Sequence, residues 1–216
     1  MTAKIIAIRR HLTVGDAILL QKKLASLVCQ QSDLPETISH VAGTDGAYDG
    51  ERALGVAVRV DYDSLEPAEI KTAEARVTFP YVPGLLAFRE APVVIRALRK
   101  LRREPQVCIV DGHGLAHPRR FGLACYVGLI MDLPTIGVAK SRLFGRESGE
   151  TLVDTEGNVI AAILRLKRKS LYVSVGHKIS LEDATRIVKH CLSERGLEPV
   201  LLAHQEAKKR IWSLKT

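Results

Sequence analysis

Apolar residues recur at helical spacing from about Thr13 to Gln31, where Val14, Ala17, Leu20, Leu24 and Leu27 form one stripe. Thr13 followed by Asp16 gives a capping-box-like start. The period then shortens. Residues 38–45 (ISHVAGTD), 53–62 (ALGVAVRVDY) and 69–79 are strand-like runs separated by turn residues such as Asp49-Gly50 and Asp63-Ser64. Such spacing predicts an antiparallel meander.

Further along, helical and strand-like runs alternate. A helix is expected over Leu86–Arg103, a short apolar strand over 106–111 (QVCIVD), a helix over Arg120–Met131 and a strand over 134–140 (PTIGVAK). This alternation implies parallel pairing with right-handed crossovers. Two weaker strands, near 159–166 and 171–175, precede a helix over Ser180–Arg195, where Ser180 and Asp183 form another capping pattern. A last helix covers Pro199–Trp212, while residues 141–158 are hard to read. No repeat or Pro/Ser-rich linker divides the chain, so 1–216 is expected to form one domain, long enough to bury a core without staples. A meander, then helix, strand, helix, strand and helices, is the layout of a ribonuclease H-like α/β domain: a mixed five-stranded sheet with helices on both faces. The order of elements comes from the pattern; the topology is an analogy.

Composition narrows the class. No apolar run approaches the ~18 residues of a membrane-spanning helix. The short apolar patch in MTAKIIAIRRHL lacks a signal-peptide core, so a cytoplasmic protein is expected. Cys29, Cys108, Cys125 and Cys191 are too widely spaced for a zinc knuckle. A net charge of +8 and a pI near 9.5 suggest a polyanionic partner, nucleic acid above all, although a basic surface can also be idle. Arg96, Arg99, Lys100 and Arg103 follow i, i+3, i+4, i+7 spacing and would share one helix face. Arg119-Arg120, KSRLFGR (140–146) and RLKRK (165–169) add further basic clusters. Each alone reads as a solvated surface; together they fit an electrostatic footprint for phosphates.

Three segments carry candidate chemistry: VAGTDGAYDG (41–50), TFPYVPGLLAFRE (78–90) and IVDGHGLAHPRRFGLA (109–124). Strands ending in Asp45 and Asp111 before glycine would aim carboxylates off a sheet edge, where ligands of open α/β sheets collect. If those strands are parallel neighbours, the two side chains can share magnesium, which takes few carboxylates and keeps several waters. Asp before Gly is equally a common turn residue. Glu90 would either approach from its helix or simply complement the helix dipole. Two prolines flanking Tyr81 stiffen the backbone at a projecting tip. That ring could fill the gap left by an extruded base, or pack on its own domain. His117, on a glycine-rich turn, could position water or phosphate, or serve as a structural hydrogen-bonder. Lys140 at a strand end could pair with phosphate or be solvated, and His204 could face the site or pack.

With VAGTD, FPYVPGLLAFRE, DGHGLAHPRRFGLA and PTIGVAKSRLFG in family order, and LLAHQ at 201–205 more thinly, the sequence resembles the endonuclease V (deoxyinosine 3′ endonuclease) family. The resemblance implies a ribonuclease H-like nuclease that recognises hypoxanthine in DNA or RNA. It implies hydrolysis of the second phosphodiester 3′ to the lesion, leaving 3′-hydroxyl and 5′-phosphate ends. It further implies Asp45 and Asp111 as magnesium ligands, with manganese as a substitute, and Glu90 as the supporting acid. Tyr81 would be the wedge, His117 and Lys140 catalytic-site residues and His204 a site neighbour. Gly84, Leu85, Leu86, Gly112 and Gly122 would build the base pocket. A monomer acting on DNA with deaminated purines, or on inosine-containing RNA, is the expectation. One departure is the run Asp45-Gly46-Ala47-Tyr48, where the family tends to place an apolar residue after the aspartate.

Overall fold

A computed structural model describes residues 12–167 and 169–213. The N-terminal apolar patch and Arg168 of the 165–169 cluster lie outside them. Helix α1 spans Val14–Ala25. Thr13 accepts a hydrogen bond from the Asp16 amide while Asp16 reaches back to the Thr13 amide, so the capping box is real. The helix stops short of the expected Gln31. Of its stripe, Ala17 and Leu24 are buried, whereas Val14 and Leu27 are exposed and the polar Gln21 is buried in their place.

Strands β1 (His40–Asp49), β2 (Arg52–Asp61) and β3 (Pro67–Arg76) form the expected meander. Helix α2 (Leu86–Leu98) leads to β4 (Val107–Asp111), α3 (Leu123–Met131) and β5 (Thr135–Ala139). β4 pairs parallel to both β1 and β5, and its residues before Asp111 are buried, as a strand covered on both faces requires. The order β3-β2-β1-β4-β5 is a mixed five-stranded sheet. Four more strands extend it: β6 (Arg146–Ser148), β7 (Thr151–Val153), β8 (Val159–Arg165) and β9 (Ser170–His177), giving nine among the described residues. β6 and β7 are a short hairpin inside 141–158; three-residue strands are too brief to show a period. Helices α4 (Leu181–His190) and α5 (Glu198–Ser213) follow.

Helices cover both faces, as expected. Gly43 of β1 and Gly55 of β2 mark the two contacts. A Cβ on Gly43 would lie 2.1 Å from the Pro199 carbonyl carbon in α5, and one on Gly55 would lie 2.3 Å from the Val93 oxygen in α2. Gly43 stands opposite Val58, so by strand alternation the two glycines face opposite sides. Only glycine permits helix backbone that close.

The expected basic face of α2 does not form, because the helix ends at Leu98. The Arg102 amide instead binds the Glu69 carboxylate, at 3.1 Å to each oxygen, and Lys100 Nζ donates to the Thr72 carbonyl. Both contacts pin the chain to β3. Cys108, Cys125 and Cys191 are buried free thiols pushed up to about 12 by burial, which fits core residues without chemistry. No described helix is long and apolar enough to cross a membrane.

Candidate active site

β1 and β4 run parallel with Val41 opposite Val107 and Thr44 opposite Val110. The next residues are Asp45 and Asp111, side by side just past the last paired position. Both follow the alternation of Gly43 onto the face that carries α5. β1 itself continues to Asp49 alongside β2, so Asp45 marks the end of the parallel pairing rather than of the strand.

Each carboxylate has its own partner. Asp45 accepts the Gly46 N–H at 2.8 Å on one oxygen and His204 Nδ1, from α5, at 2.8 Å on the other. Asp111 accepts Lys140 Nζ at 2.7 Å. Lys140 follows β5, whose Val138 stands opposite Asp111, so the sheet itself delivers the ammonium group. Glu90 arrives from α2. Its carboxyl carbon lies 3.8 Å, and the Tyr48 hydroxyl 3.7 Å, from where a Cβ on Gly46 would sit. The glycine after Asp45 thus leaves the space into which Glu90 and Tyr48 converge, while its amide holds Asp45 in place.

The three carboxyl groups share one field. Burial, then the charges of Asp45 and Asp111, push Glu90 up to about 8. Burial, then Asp111, raises Asp45. Like charges in a half-dry site resist joint ionisation. A hard divalent cation fits this donor set, because the donors are carboxylate oxygens and their mutual repulsion is what it would relieve. Among the described residues no three His, Cys, Asp or Glu side chains already form a metal-binding group.

Two clefts are built from the same elements and the loops between them. One is lined by Asp111, Lys140 and His204 together with Lys169 and Arg195. The other, of about 240 Å³, is lined by Tyr81, Gly84, Leu86, Ala87, His113, His117 and Gly122. Tyr81 is 70% exposed at its mouth. The turn beneath runs Val82-Pro83-Gly84-Leu85 and is closed by the Leu85 N–H on the Val82 carbonyl at 2.9 Å. Pro83 supplies its fixed φ, and Gly84 has φ +76°, which favours glycine. Helix α2 begins at once, without a side-chain cap, leaving the Leu86 and Ala87 amides free of intrahelical partners.

A profile of the family Endonuclease V matches residues 22–205. The chain is 42% identical to the endonuclease V of Desulfurococcus amylolyticus, over 87% of this chain and 90% of that one. It superposes on human ENDOV with a TM-score of 0.86 at 31% identity, covering 94% and 100% of the two chains. It superposes on Ciona intestinalis endonuclease V, solved with a 24mer DNA containing an inosine followed by a ribo-adenosine, with a TM-score of 0.85 at 28% identity, covering 93% and 98%. This chain belongs to the endonuclease V family. It is therefore a nuclease that hydrolyses phosphodiester bonds.

In this endonuclease V the predicted residues fall into two groups. Asp45, Glu90, Asp111, Lys140 and His204 gather at the carboxylates. Tyr81, Gly84, Leu86 and Gly122 gather at the second cleft. His117 joins the second group rather than the first. It is 3% exposed, its Nε2 lies 2.9 Å from the Gly84 carbonyl and its Nδ1 accepts the Arg119 amide. Burial, and to a lesser degree Arg119 and His113, push it down to about 4, so it is neutral. Leu85 is 1% exposed, its side chain in the core, and Gly112 rests against Leu123 outside the cleft lining.

Sequence reasoning missed four neighbours. His113 lines the second cleft and binds the Ser141 carbonyl at 3.0 Å. Tyr48 sits beneath the Arg89 guanidinium, 4.6 Å from its ring centre, while Arg89 also donates to the Phe79 carbonyl in the Tyr81 loop. Gln21 reaches the cleft from α1. Its one available signal was a polar residue at a core position between Ala17 and Leu24.

Proposed function

We propose that this protein is a magnesium-dependent endonuclease that recognises hypoxanthine in DNA and hydrolyses the second phosphodiester bond 3′ to it, in repair of deaminated bases. The observation that carries this reading is the parallel register that sets Asp45 beside Asp111, next to a cleft under an exposed tyrosine. The inosine in the DNA bound by the Ciona relative supports the choice of base. The protein acts as a cytoplasmic monomer, and manganese serves in place of magnesium.

Asp45 and Asp111 would hold the metal, with Glu90 joining directly or through water. A divalent ion there supplies an activated water and neutralises charge on the attacked phosphate. His204 orients Asp45, and Lys140, already on Asp111, is placed to meet a phosphate oxygen. Tyr81 fills the gap left by the extruded base. His117 is a positioning residue: with both ring nitrogens engaged inside the chain, it holds the Gly84 turn.

Cleavage of inosine-containing RNA is the second reading, favoured by the ribo-adenosine after the inosine in the Ciona ligand. The test uses labelled inosine oligonucleotides of DNA and of RNA, with magnesium or with chelator. Magnesium-dependent nicking of the DNA one nucleotide beyond the inosine is expected. Nicking of the RNA alone moves the assignment to an endoribonuclease. No nicking of either leaves a binding module and defeats the proposal.

A further inference from the structure

Gln21 is completely buried, yet every polar atom of its side chain is used. Its Nε2 donates to the Gly84 carbonyl at 3.1 Å and to the Phe121 carbonyl at 2.9 Å. Its Oε1 accepts Arg119 Nε at 2.6 Å. The Gly84 carbonyl also accepts Arg119 Nη2 at 2.7 Å. The third donor is His117, 2.9 Å away. Because its Nδ1 accepts the Arg119 amide, its Nε2 carries the proton. Three donors from α1 and the loop before α3 therefore converge on one oxygen. Gln21 also holds the seat of the Arg119 fork.

A carbonyl oxygen has two lone pairs, so one with three donors has no acceptor capacity left for a ligand. Gly84 lines the second cleft, next to the open amides of Leu86 and Ala87. This wall consequently offers donors and withholds the Gly84 acceptor. The 6-oxygen of hypoxanthine is an acceptor and suits such a wall. The 6-amino group of adenine is a donor and finds nothing to bind.

We infer that Gln21 is a specificity-positioning residue: by occupying the Gly84 carbonyl from behind, it makes the cleft reject adenine. The inference rests on the base reading given under Proposed function. Without the Gln21 side chain Arg119 also loses its seat, two of the three donors are gone, and the Gly84 carbonyl, left with His117 alone, has a lone pair to present to an amino group.

The test compares kcat/KM on matched oligonucleotides carrying inosine or adenosine at one position. Wild-type protein is measured with Gln21→Met, which keeps the volume but removes the hydrogen bonds, and Gln21→Glu, which keeps the acceptor for Arg119 but removes the donor. Leu24→Ala, a core truncation on the same helix, controls for lost stability. In Gln21→Met the inosine preference should fall by about tenfold or more, through gain on adenosine and higher KM on inosine, whereas Gln21→Glu, which leaves Arg119 and His117 on the carbonyl, should keep most of it. Leu24→Ala should keep the wild-type ratio. Should Gln21→Met fail to fold, Gln21→Leu removes the same hydrogen bonds with a different apolar shape and must lower the ratio too. An unchanged ratio in folded Gln21→Met or Gln21→Leu overturns the inference while leaving the base reading intact. A wild-type protein with no inosine preference defeats the base reading, and this inference with it.

Discussion

His204 Nδ1 lies 2.8 Å from the Oδ2 of Asp45, a contact between residues 159 positions apart in the chain. Among the described residues the second nitrogen of that imidazole has no hydrogen-bond partner, and the carboxylate it orients stands next to Asp111. A hydrogen-bonded partner of this kind fixes the direction of a metal-binding oxygen, and its loss typically costs 10–100-fold in metal affinity or activity. His204→Ala should therefore raise the magnesium concentration needed for half-maximal cleavage by about 10–100-fold. Asp45→Asn and Asp111→Asn should abolish cleavage at any magnesium concentration. Magnesium titrations of cleavage check all three, and an unaltered midpoint in His204→Ala would place the imidazole outside the site.

Tyr81→Ala separates binding from chemistry. A ring that is 70% exposed contributes little to folding, so the stability change should stay within about 0.5 kcal/mol. Affinity for inosine-containing strands should drop more than in Asp45→Ala, which should bind but not cut. Equal losses of binding in the two variants, measured by fluorescence anisotropy in chelator, would contradict the division between wedge and metal site.

The raised Glu90 carboxyl sets a pH dependence of stability in the metal-free protein. The folded state holds this proton up to about 8, whereas an unfolded glutamate releases it in the ordinary carboxylate range. Between those limits the native state binds more protons than the unfolded state, so stability falls as pH rises. Its contribution is complete below the ordinary range and is lost on approaching pH 8. Asp45, raised in the same field, adds to the same slope. Urea unfolding in chelator from pH 5 to 8 should show the decline. Glu90→Gln should flatten it and be the more stable protein at pH 8, whereas an identical slope would mean that Glu90 is not the group responsible.

Gly43→Ala tests the helix that carries His204. The added methyl would collide with the Pro199 backbone, and overpacking of this kind costs roughly 1–3 kcal/mol. Relief requires α5 to move off β1, which would carry His204 away from Asp45. Thermal unfolding should register the loss, and the variant should share the weakened magnesium response of His204→Ala.

Sequence alone determined much of this protein, because the deciding signals were local. Period-two and helical patterns placed the meander, α2, β4, α3 and β5. The Pro-Tyr-Val-Pro-Gly run marked a rigid turn, since φ at Pro83 and the positive φ at Gly84 are properties of those residue types. Asp45 and Asp111 stood out as carboxylates beside glycine near strand ends. Tertiary structure decided what depends on partners distant in the chain. The strands near 159–166 and 171–175 were legible as β8 and β9, but β6 and β7 are three-residue pieces that exist only through ladder bonds to neighbours. Helix α2 ended at Leu98, and the Arg102 amide beyond it went to the Glu69 carboxylate of β3. Burial and the charges of Asp45 and Asp111, rather than any feature of its own turn, protonate Glu90. His117 joined the cleft beneath Tyr81 rather than the carboxylates, and Gln21 entered it, because a buried polar group goes where its hydrogen bonds can be completed, and that place is chosen by the packing of the whole chain.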